Sequence, residues 1–327
     1  MDCALSRSSS DKRLFRMALL RWYDSEKRDL PWRQNTDAYR VWISEIMLQQ
    51  TRVGAVLEHY RQFLSRFPNV EALANAKLDA VLAAWSGLGY YRRARNLHAA
   101  AQKVVAEYGG EIPVNAEGLR RLPGIGRYTA AAIASIAFSE KCAVLDGNVE
   151  RVLARVSASP EASNSELWKL AEELISPKRP GDFNQSMMEL GAMVCLPAEP
   201  RCLVCPVHPW CGTRGAPLKA ARQKRETYEL NLALITDRKR VKLVRRSDSD
   251  SVMTGMWELP TLAAIPTAAG SLLNLKHSIM NTDYRVQVWP LPGKTKVKNG
   301  RWWPLEEVSE IPLTGLCRKI LRRTSLI

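Results

Sequence analysis

Leu122-Pro123-Gly124-Ile125-Gly126-Arg127-Tyr128-Thr129-Ala130 is the stretch on which the fold turns. Two glycines one residue apart allow a tight reversal without a Cβ penalty. The apolar helix expected from about residue 126 to 138 presents free N–H groups and its positive dipole end to an anion. With Leu119 and Leu122 ahead of the turn, the pattern is a helix–hairpin–helix, and Gly124 and Gly126 become candidate contacts to a phosphate backbone. A bare G-x-G also serves as an ordinary tight turn between helices, so the neighbouring sequence has to decide.

Twenty residues on, Asp146 stands in Val144-Leu145-Asp146-Gly147-Asn148-Val149. One role is the N-cap of a helix beginning near Asn148. A carboxylate at a helix start also stays ionised easily, which suits stabilising a positive charge, and one residue can do both. The helical pattern then closes on Cys195, Cys202, Cys205 and Cys211, a C-x6-C-x2-C-x5-C array. Four thiolates in a short loop can hold zinc or an iron–sulfur cluster. Zinc usually draws on two C-x2-C pairs, and only Cys202 and Cys205 form one. The wider spacing suits a single [4Fe–4S] cubane better, with zinc or plain buried cysteines as the alternatives. His208 would be a fifth ligand in a full set. Cys3, Cys142 and Cys317 are isolated and read as filler.

The 327 residues suggest two domains rather than one core. Lys and Arg number 48 against 33 Asp and Glu, a net charge of +15 that points to a polyanionic partner before a membrane. Met1 to Arg13 lacks the apolar core of a signal peptide. The most apolar stretch, Tyr128 to Phe138, is far short of the roughly 18 residues that span a bilayer. Clustered cysteines favour reduced thiols, so a cytoplasmic, nucleoid-associated location is expected.

Up to Cys211 the chain reads as helix after helix. Asp11 is expected to cap the first, with Leu14, Met17, Ala18 and Leu20 on one face, until Leu30-Pro31-Trp32-Arg33 breaks it. Helices follow at Tyr39 to Gln49 and at about 53–66, 78–85, 91–108 (stopped by Gly109-Gly110), 126–138, 147–156, 165–175 and 182–194. An all-α domain over 1–212 is followed by a basic linker, 213–227, and a small α+β domain, 228–327. In that tail Leu230, Leu232 and Leu234 alternate with Glu229, Asn231 and Ala233. Val241 and Leu243, Tyr284-Val286-Val288 and Arg301-Trp302-Trp303 read as further strands, and Leu313 to Arg323 as a closing helix.

The order of hairpin, Leu-Asp-Gly-Asn and four-cysteine loop resembles the endonuclease III superfamily of DNA glycosylases. Within it the chain is similar to the adenine DNA glycosylases of the MutY type. The likeness covers nearly all of residues 11–211 and includes Leu30-Pro31-Trp32-Arg33, Trp42-Ile43-Ser44-Glu45-Ile46-Met47-Leu48-Gln49-Gln50-Thr51 and Gly87-Leu88-Gly89-Tyr90-Tyr91. It implies a helix–hairpin–helix glycosylase fold with a [4Fe–4S] loop. The implied substrate is double-stranded DNA carrying adenine opposite 8-oxoguanine or guanine, and the implied state is a monomer. Members that also nick the strand carry a lysine two residues past the hairpin, where this chain has Tyr128, so hydrolysis without strand cleavage is implied.

By the same resemblance Glu45 is the catalytic acid that protonates adenine N7, and its apolar neighbours suit a raised pKa. Asp146 would stabilise or trap the oxocarbenium sugar, while Tyr128 and Asn148 orient the two carboxyls. A solvated helix glutamate is the plainer reading of Glu45. Arg28, Trp32, Arg33 and Glu189 match positions around the extruded adenine. Gln50 and Tyr90 would fill the vacated stack, with Thr51 and Leu88 against the opposite base. Tyr90 and Tyr91 read equally as core aromatics, and Arg92, Arg93 and Arg95 as phosphate contacts or a solvated face. Gly255-Met256-Trp257-Glu258-Leu259-Pro260 resembles the Gly-x-Trp-Glu-x-Pro segment of the family's Nudix-like lesion-recognition domain. The glutamate-rich Nudix box is missing, so no pyrophosphatase is expected. Ile279-Met280-Asn281 stands where many members carry Phe-Ser-His, which leaves the preference for 8-oxoguanine over guanine open. Two other readings follow from the same residues: a pyrimidine-lesion glycosylase and a non-catalytic iron–sulfur DNA-binding protein.

Overall fold

A computed structural model describes residues 9–214, 226–237, 239–247, 253–266, 270–279 and 282–327. Most of the expected linker (215–225) and the aligned Met280 and Asn281 lie outside the described residues, as does Cys3. Packing groups the chain into two compact units that are not consecutive stretches. The first takes Met1–Tyr60, Asn69–Glu71 and Ala99–Ala220; the second takes Arg61–Pro68, Ala72–His98 and Ala221–Ile327. Residues 61–68 and 72–98, placed by sequence in the helical domain, thus pack with the C-terminal strands.

Helices α1 (Ser9–Glu26), α2 (Ala38–Leu48), α7 (Ala116–Leu119), α8 (Arg127–Phe138), α9 (Gly147–Val156), α10 (Asn164–Leu174) and α11 (Pro180–Met193) lie in the first unit. Their starts follow local chemistry. Asp37 caps α2 by accepting from the Arg40 amide, Ser163 and Glu166 form a capping box on α10, and Pro180 opens α11 at the position where its missing N–H costs nothing. Asp11 does not cap α1 but lies inside it, where its charge still suits the helix dipole, and the buried face is Phe15, Leu19 and Tyr23 while Leu14 and Met17 of the expected face are exposed. Helices α4 (Val70–Asn75) and α7 were not foreseen, each being too short to establish a period.

α8 carries Ala130, Ala131, Ala132 and Ala134 on buried positions, and these small side chains let α2, α7 and α11 pack directly on it. Phe15 and Leu19 of α1 join Val149, Leu153, Leu167 and Phe183 in one core. Trimming Leu153 to alanine there should cost about 2–5 kcal/mol.

In the second unit, α5 (Leu78–Trp85) accompanies two three-stranded sheets. One has the order β1 (Glu226–Ile235), β5 (Thr282–Leu291), β4 (Leu273–Ile279), with β1 parallel to β5. The other has the order β3 (Trp257–Glu258), β2 (Arg240–Arg245), β6 (Gly300–Pro304) and is antiparallel. α12 (Gly315–Arg323), capped by Thr314, buries Leu316, Ile320 and Leu321 against them. The alternation expected in β1 gives way at its end, where Leu232, Ala233, Leu234 and Ile235 are all buried. A strand paired in parallel and covered on both faces has no outer side for Ala233 to occupy. Helices α3 (Val53–Arg66) and α6 (Arg92–Tyr108) contribute residues to both units.

Candidate active site

Glu45 lies on α2 and Tyr128 in the first turn of α8, and the packing of these helices brings the two side chains together. The Tyr128 hydroxyl donates to Glu45 Oε2 at 2.9 Å and lies 3.1 Å from Met188 Sδ. Glu45 is only 6% exposed. Burial pushes its carboxyl up to about 7. The Tyr128 hydrogen bond works against this, the negative charge of Asp146 adds to it, and Arg33 opposes it. The Tyr128 phenol is itself raised well above its ordinary value, by burial first and then by the carboxyls of Glu45 and Asp146. Glu45 is a buried acid, not a solvated helix glutamate.

Asp146 does cap α9. Its Oδ1 accepts from the amides of Asn148 (3.0 Å) and Val149 (2.8 Å), and its Oδ2 from Asn148 Nδ2 at 3.2 Å. The same geometry orients the carboxylate, so cap and chemistry are compatible uses of one residue. Asn148 is held in turn: Arg151 Nη2 donates to its Oδ1 at 3.0 Å and to the Gly191 carbonyl at 2.7 Å, and Arg151 Nε donates to the Cys195 carbonyl at 2.8 Å. A Cβ added at Gly191 would stand 2.6 Å from Asn148 Cβ, so α11 approaches α9 as closely as it does only because this residue is glycine.

Arg28, Arg33 and Glu189 form an ion cluster in the same unit. Glu189 is 1% exposed, and its Oε1 accepts from Arg28 Nε (2.7 Å), its Oε2 from Arg28 Nη2 (2.6 Å) and Arg33 Nη2 (2.9 Å). Burial alone would raise this carboxyl, but the two arginines outweigh it and bring it down to about 2. Trp32 is buried with its ring edge-on to Tyr60, 5.3 Å between centroids.

The remaining sequence candidates divide between the units. Gln50 and Thr51 belong to the first, Leu88 and Tyr90 to the second. Gln50 (φ 56°) and Tyr90 (φ 48°) both take the left-handed backbone region that non-glycine residues seldom adopt. Tyr90 is 43% exposed, whereas Leu88 and Tyr91 are buried and the Tyr91 hydroxyl donates to the Leu313 carbonyl. Tyr91 is therefore a core aromatic and Tyr90 is not. Arg93 lies over the rings of Trp85 and Tyr90 and donates to the Leu88 and Gly89 carbonyls. Arg95 donates to the Thr254 carbonyl, which leaves Arg92 as the exposed member of the trio. At the hairpin, Leu119, Leu122 and Ile125 are buried, Gly124 needs its freedom at φ 75°, and a Cβ at Gly126 would meet nothing within 4 Å.

Cys195 follows the end of α11, and two 3-10 turns, Cys202–Val204 and His208–Trp210, set Cys202, Cys205 and Cys211. Among the described residues no three His, Cys, Asp or Glu side chains already stand in metal-binding geometry. The four thiols nevertheless share one neighbourhood. Burial pushes Cys205 up to about 11, and Cys195, Cys211 and Cys202 add mutual repulsion. Arg155, 2% exposed, reaches Cys195 Sγ at 3.2 Å, and its Nε has no hydrogen-bond partner. A buried cation beside four thiols is a donor set suited to an anionic thiolate–metal centre.

Sequence reasoning missed Arg151, Arg155 and Met188. The two arginines stand three and seven residues after Asn148, a helical spacing that places them on the Asn148 face. That spacing was the available signal. Nothing comparable marked Met188.

A family model described as HhH-GPD superfamily base excision DNA repair protein matches residues 43–177. The adenine DNA glycosylase of Rattus norvegicus is 36% identical over 96% of this chain and 78% of its own length. That of Homo sapiens is 50% identical over 64% of this chain and 41% of its own, so the chain spans less than half of that relative. Among solved structures, a thermostable thymine-DNA glycosylase aligns with a TM-score of 0.59 and 30% identity, over 63% of this chain and 97% of that one. A non-covalent endonuclease III–DNA complex aligns with a TM-score of 0.54 and 22% identity, over 62% and 96%, a likeness of fold.

Proposed function

The chain belongs to the adenine DNA glycosylase family of helix–hairpin–helix base excision repair enzymes, and from that premise we propose that it hydrolyses the N-glycosidic bond of adenine opposite 8-oxoguanine or guanine in double-stranded DNA. The observation that carries this reading is the buried Glu45 carboxyl, held near pH 7 beside Asp146. An acid of that kind is still protonated in part at neutral pH and can donate to adenine N7. Protonation makes the base a leaving group. As the C1′–N9 bond breaks, its electron pair goes to the base and positive charge develops on the sugar. Asp146, with its lone pairs oriented by Asn148 and by two amides of α9, faces that charge. Water adds to C1′ and gives up its proton, leaving an abasic site. Tyr128 offers no amine, so the Schiff-base route to strand cleavage is closed.

Arg28, Trp32, Arg33 and Glu189 would border the extruded adenine, where two arginines sharing one carboxylate leave a single net positive charge and several hydrogen-bond donors. Extrusion costs a few kcal/mol. Gln50 and Tyr90, both on turns with left-handed backbone, would take up the vacated stack, with Thr51 and Leu88 near the opposite base. Gly124 and Gly126 would let a phosphate approach the amides at the start of α8. The strands after residue 226 would form the Nudix-like lesion reader, and the protein would act as a monomer.

Cys195, Cys202, Cys205 and Cys211 would hold the [4Fe–4S] cluster, whose chemistry there would be to tie the two ends of the loop after α11 together. No step of base release runs through it.

The deciding experiment incubates the purified protein with end-labelled duplexes containing adenine opposite 8-oxoguanine, adenine opposite guanine, and thymine opposite guanine, each with and without alkali. Strand breakage of the adenine duplexes only after alkali is the expected result. The thymine duplex is included because one of the aligned solved structures is a thymine-DNA glycosylase. Release of thymine with adenine untouched would overturn the proposal.

A further inference from the structure

Arg155 is among the largest fully buried side chains of the protein and takes no part in base release as derived above. Its guanidinium donates from Nη1 to Cys195 Sγ at 3.2 Å and to the Leu196 carbonyl at 2.7 Å, and from Nη2 to the Pro197 carbonyl at 2.8 Å. Its own main-chain carbonyl lies 3.6 Å from Cys211 Sγ and accepts from the Thr213 amide at 3.1 Å. One residue of α9 thus touches the first and last cysteines of the array.

Arginine side chains remain cationic in proteins, and a buried cation needs a compensating charge. Among the described residues Arg155 has no carboxylate partner; sulfur and carbonyl oxygens are what it touches. The anionic candidates at hand are the cysteine thiolates themselves. Four thiolates around a metal centre carry more negative charge than the centre neutralises, so cation and cage would complete each other.

We propose that Arg155 is the charge-compensating clamp of the four-cysteine centre, a positioning residue that fixes Cys195 relative to Cys211 and offsets the thiolate charge. This rests on the reading of the array as a metal–thiolate site. The fork of the guanidinium sets the path of the chain from Cys195 to Pro197 by two carbonyl bonds, and its charge lowers the cost of gathering the thiolates. The clamp is distinct from Arg151, which bonds to the Cys195 carbonyl and to Asn148 and so faces the reacting carboxyls.

The test compares wild type, Arg155→Lys and Arg155→Met as full chains. Iron, sulfide and zinc are measured per chain first, on the wild type. If none is bound, the metal-site reading itself fails. Where the wild type is loaded, metal release to a chelator is followed for all three, with circular dichroism to check the fold. Arg155→Met should release metal roughly 10- to 100-fold faster than wild type, as loss of an outer-shell partner typically does, and Arg155→Lys should fall between. For an iron–sulfur centre the reduction potential at an electrode should shift to more negative values in Arg155→Met, because a nearby cation favours the more negative, reduced form. Arg155→Lys should keep the potential while losing part of the grip, a separation that a purely structural role would not give. Wild-type release rates in both variants overturn the clamp. If Arg155→Met does not fold, a wild-type release rate in a folded Arg155→Lys overturns it alone.

Discussion

The Tyr128 hydroxyl donates to Glu45 Oε2 across 2.9 Å, and this bond opposes the effect of burial on the same carboxyl. A hydrogen bond given to the ionised form favours that form. Tyr128→Phe should therefore carry the Glu45 carboxyl further above about 7, by roughly one unit. Excision that needs protonated Glu45 falls as pH rises through that value. The check is kcat/KM for adenine release against pH, whose descending limb should move to higher pH in the variant; a limb that stays in place excludes Glu45 as its source.

Glu45→Gln should cut base release by at least ~100-fold while mispair binding persists. The same variant tests the cost of burying the acid. A carboxyl raised from 4.5 to about 7 leaves its stability contribution intact below pH 4.5 and loses it as pH rises through about 7. Glutamine has no such loss. Its advantage over wild type in urea unfolding should grow by on the order of 3 kcal/mol between pH 4.5 and pH 8. An equal difference at both ends would contradict the raised value.

Cap and chemistry separate at Asp146. Asparagine caps a helix about as well as aspartate, so Asp146→Asn should change stability by less than ~0.5 kcal/mol, whereas Asp146→Ala should lose about 1 kcal/mol. Both should abolish adenine release. Thermal melts and single-turnover assays on the two variants read these effects independently, and full activity in Asp146→Asn rules out a role for its charge.

Removing Glu189 strands two arginine charges. Glu189→Ala should destabilise the protein by roughly 3–5 kcal/mol at neutral pH. The wild-type carboxyl is depressed to about 2, so its contribution is present above about 4.5 and lost as pH falls through about 2. The gap between the two proteins should narrow across that window, which denaturant titrations at several pH values would reveal.

Gly191 tests the closeness of α11 to α9. A Cβ there would sit 2.6 Å from Asn148 Cβ and 3.0 Å from its carbonyl oxygen. Gly191→Ala should cost about 1–3 kcal/mol from overpacking. It should also slow excision by moving Asn148 off Asp146. Unchanged turnover in a destabilised variant would show that Asn148 does not position the aspartate.

The helices were legible where an apolar stripe ran for two turns or more, as at α3, α5 and α8, whose expected bounds lie within a residue of those observed. Asp146 was legible as a cap because Asp-Gly-Asn precedes an amphipathic run. Legibility ended where partners are remote in sequence. No local pattern tells that Arg151 will bond to Cys195, 44 residues away, or Arg155 to Leu196, 41 away. Ala233 looked outward because alternation is a property of one strand, while burial on both faces is decided by what covers the sheet. Arg93, beside an exposed tyrosine, resembled a phosphate contact, yet two rings and two carbonyls hold it.

The phenol of Tyr128 stands between two acceptors, Glu45 Oε2 and Met188 Sδ, and owns one hydrogen. While the glutamate is anionic, that hydrogen points to oxygen. Once the glutamate holds a proton, its own O–H can turn to the phenol oxygen and the phenol can swing toward sulfur. A thioether that would otherwise pass as packing thus gives the protonated carboxyl a relaxed neighbour, so that neutralising Glu45 strands no buried donor.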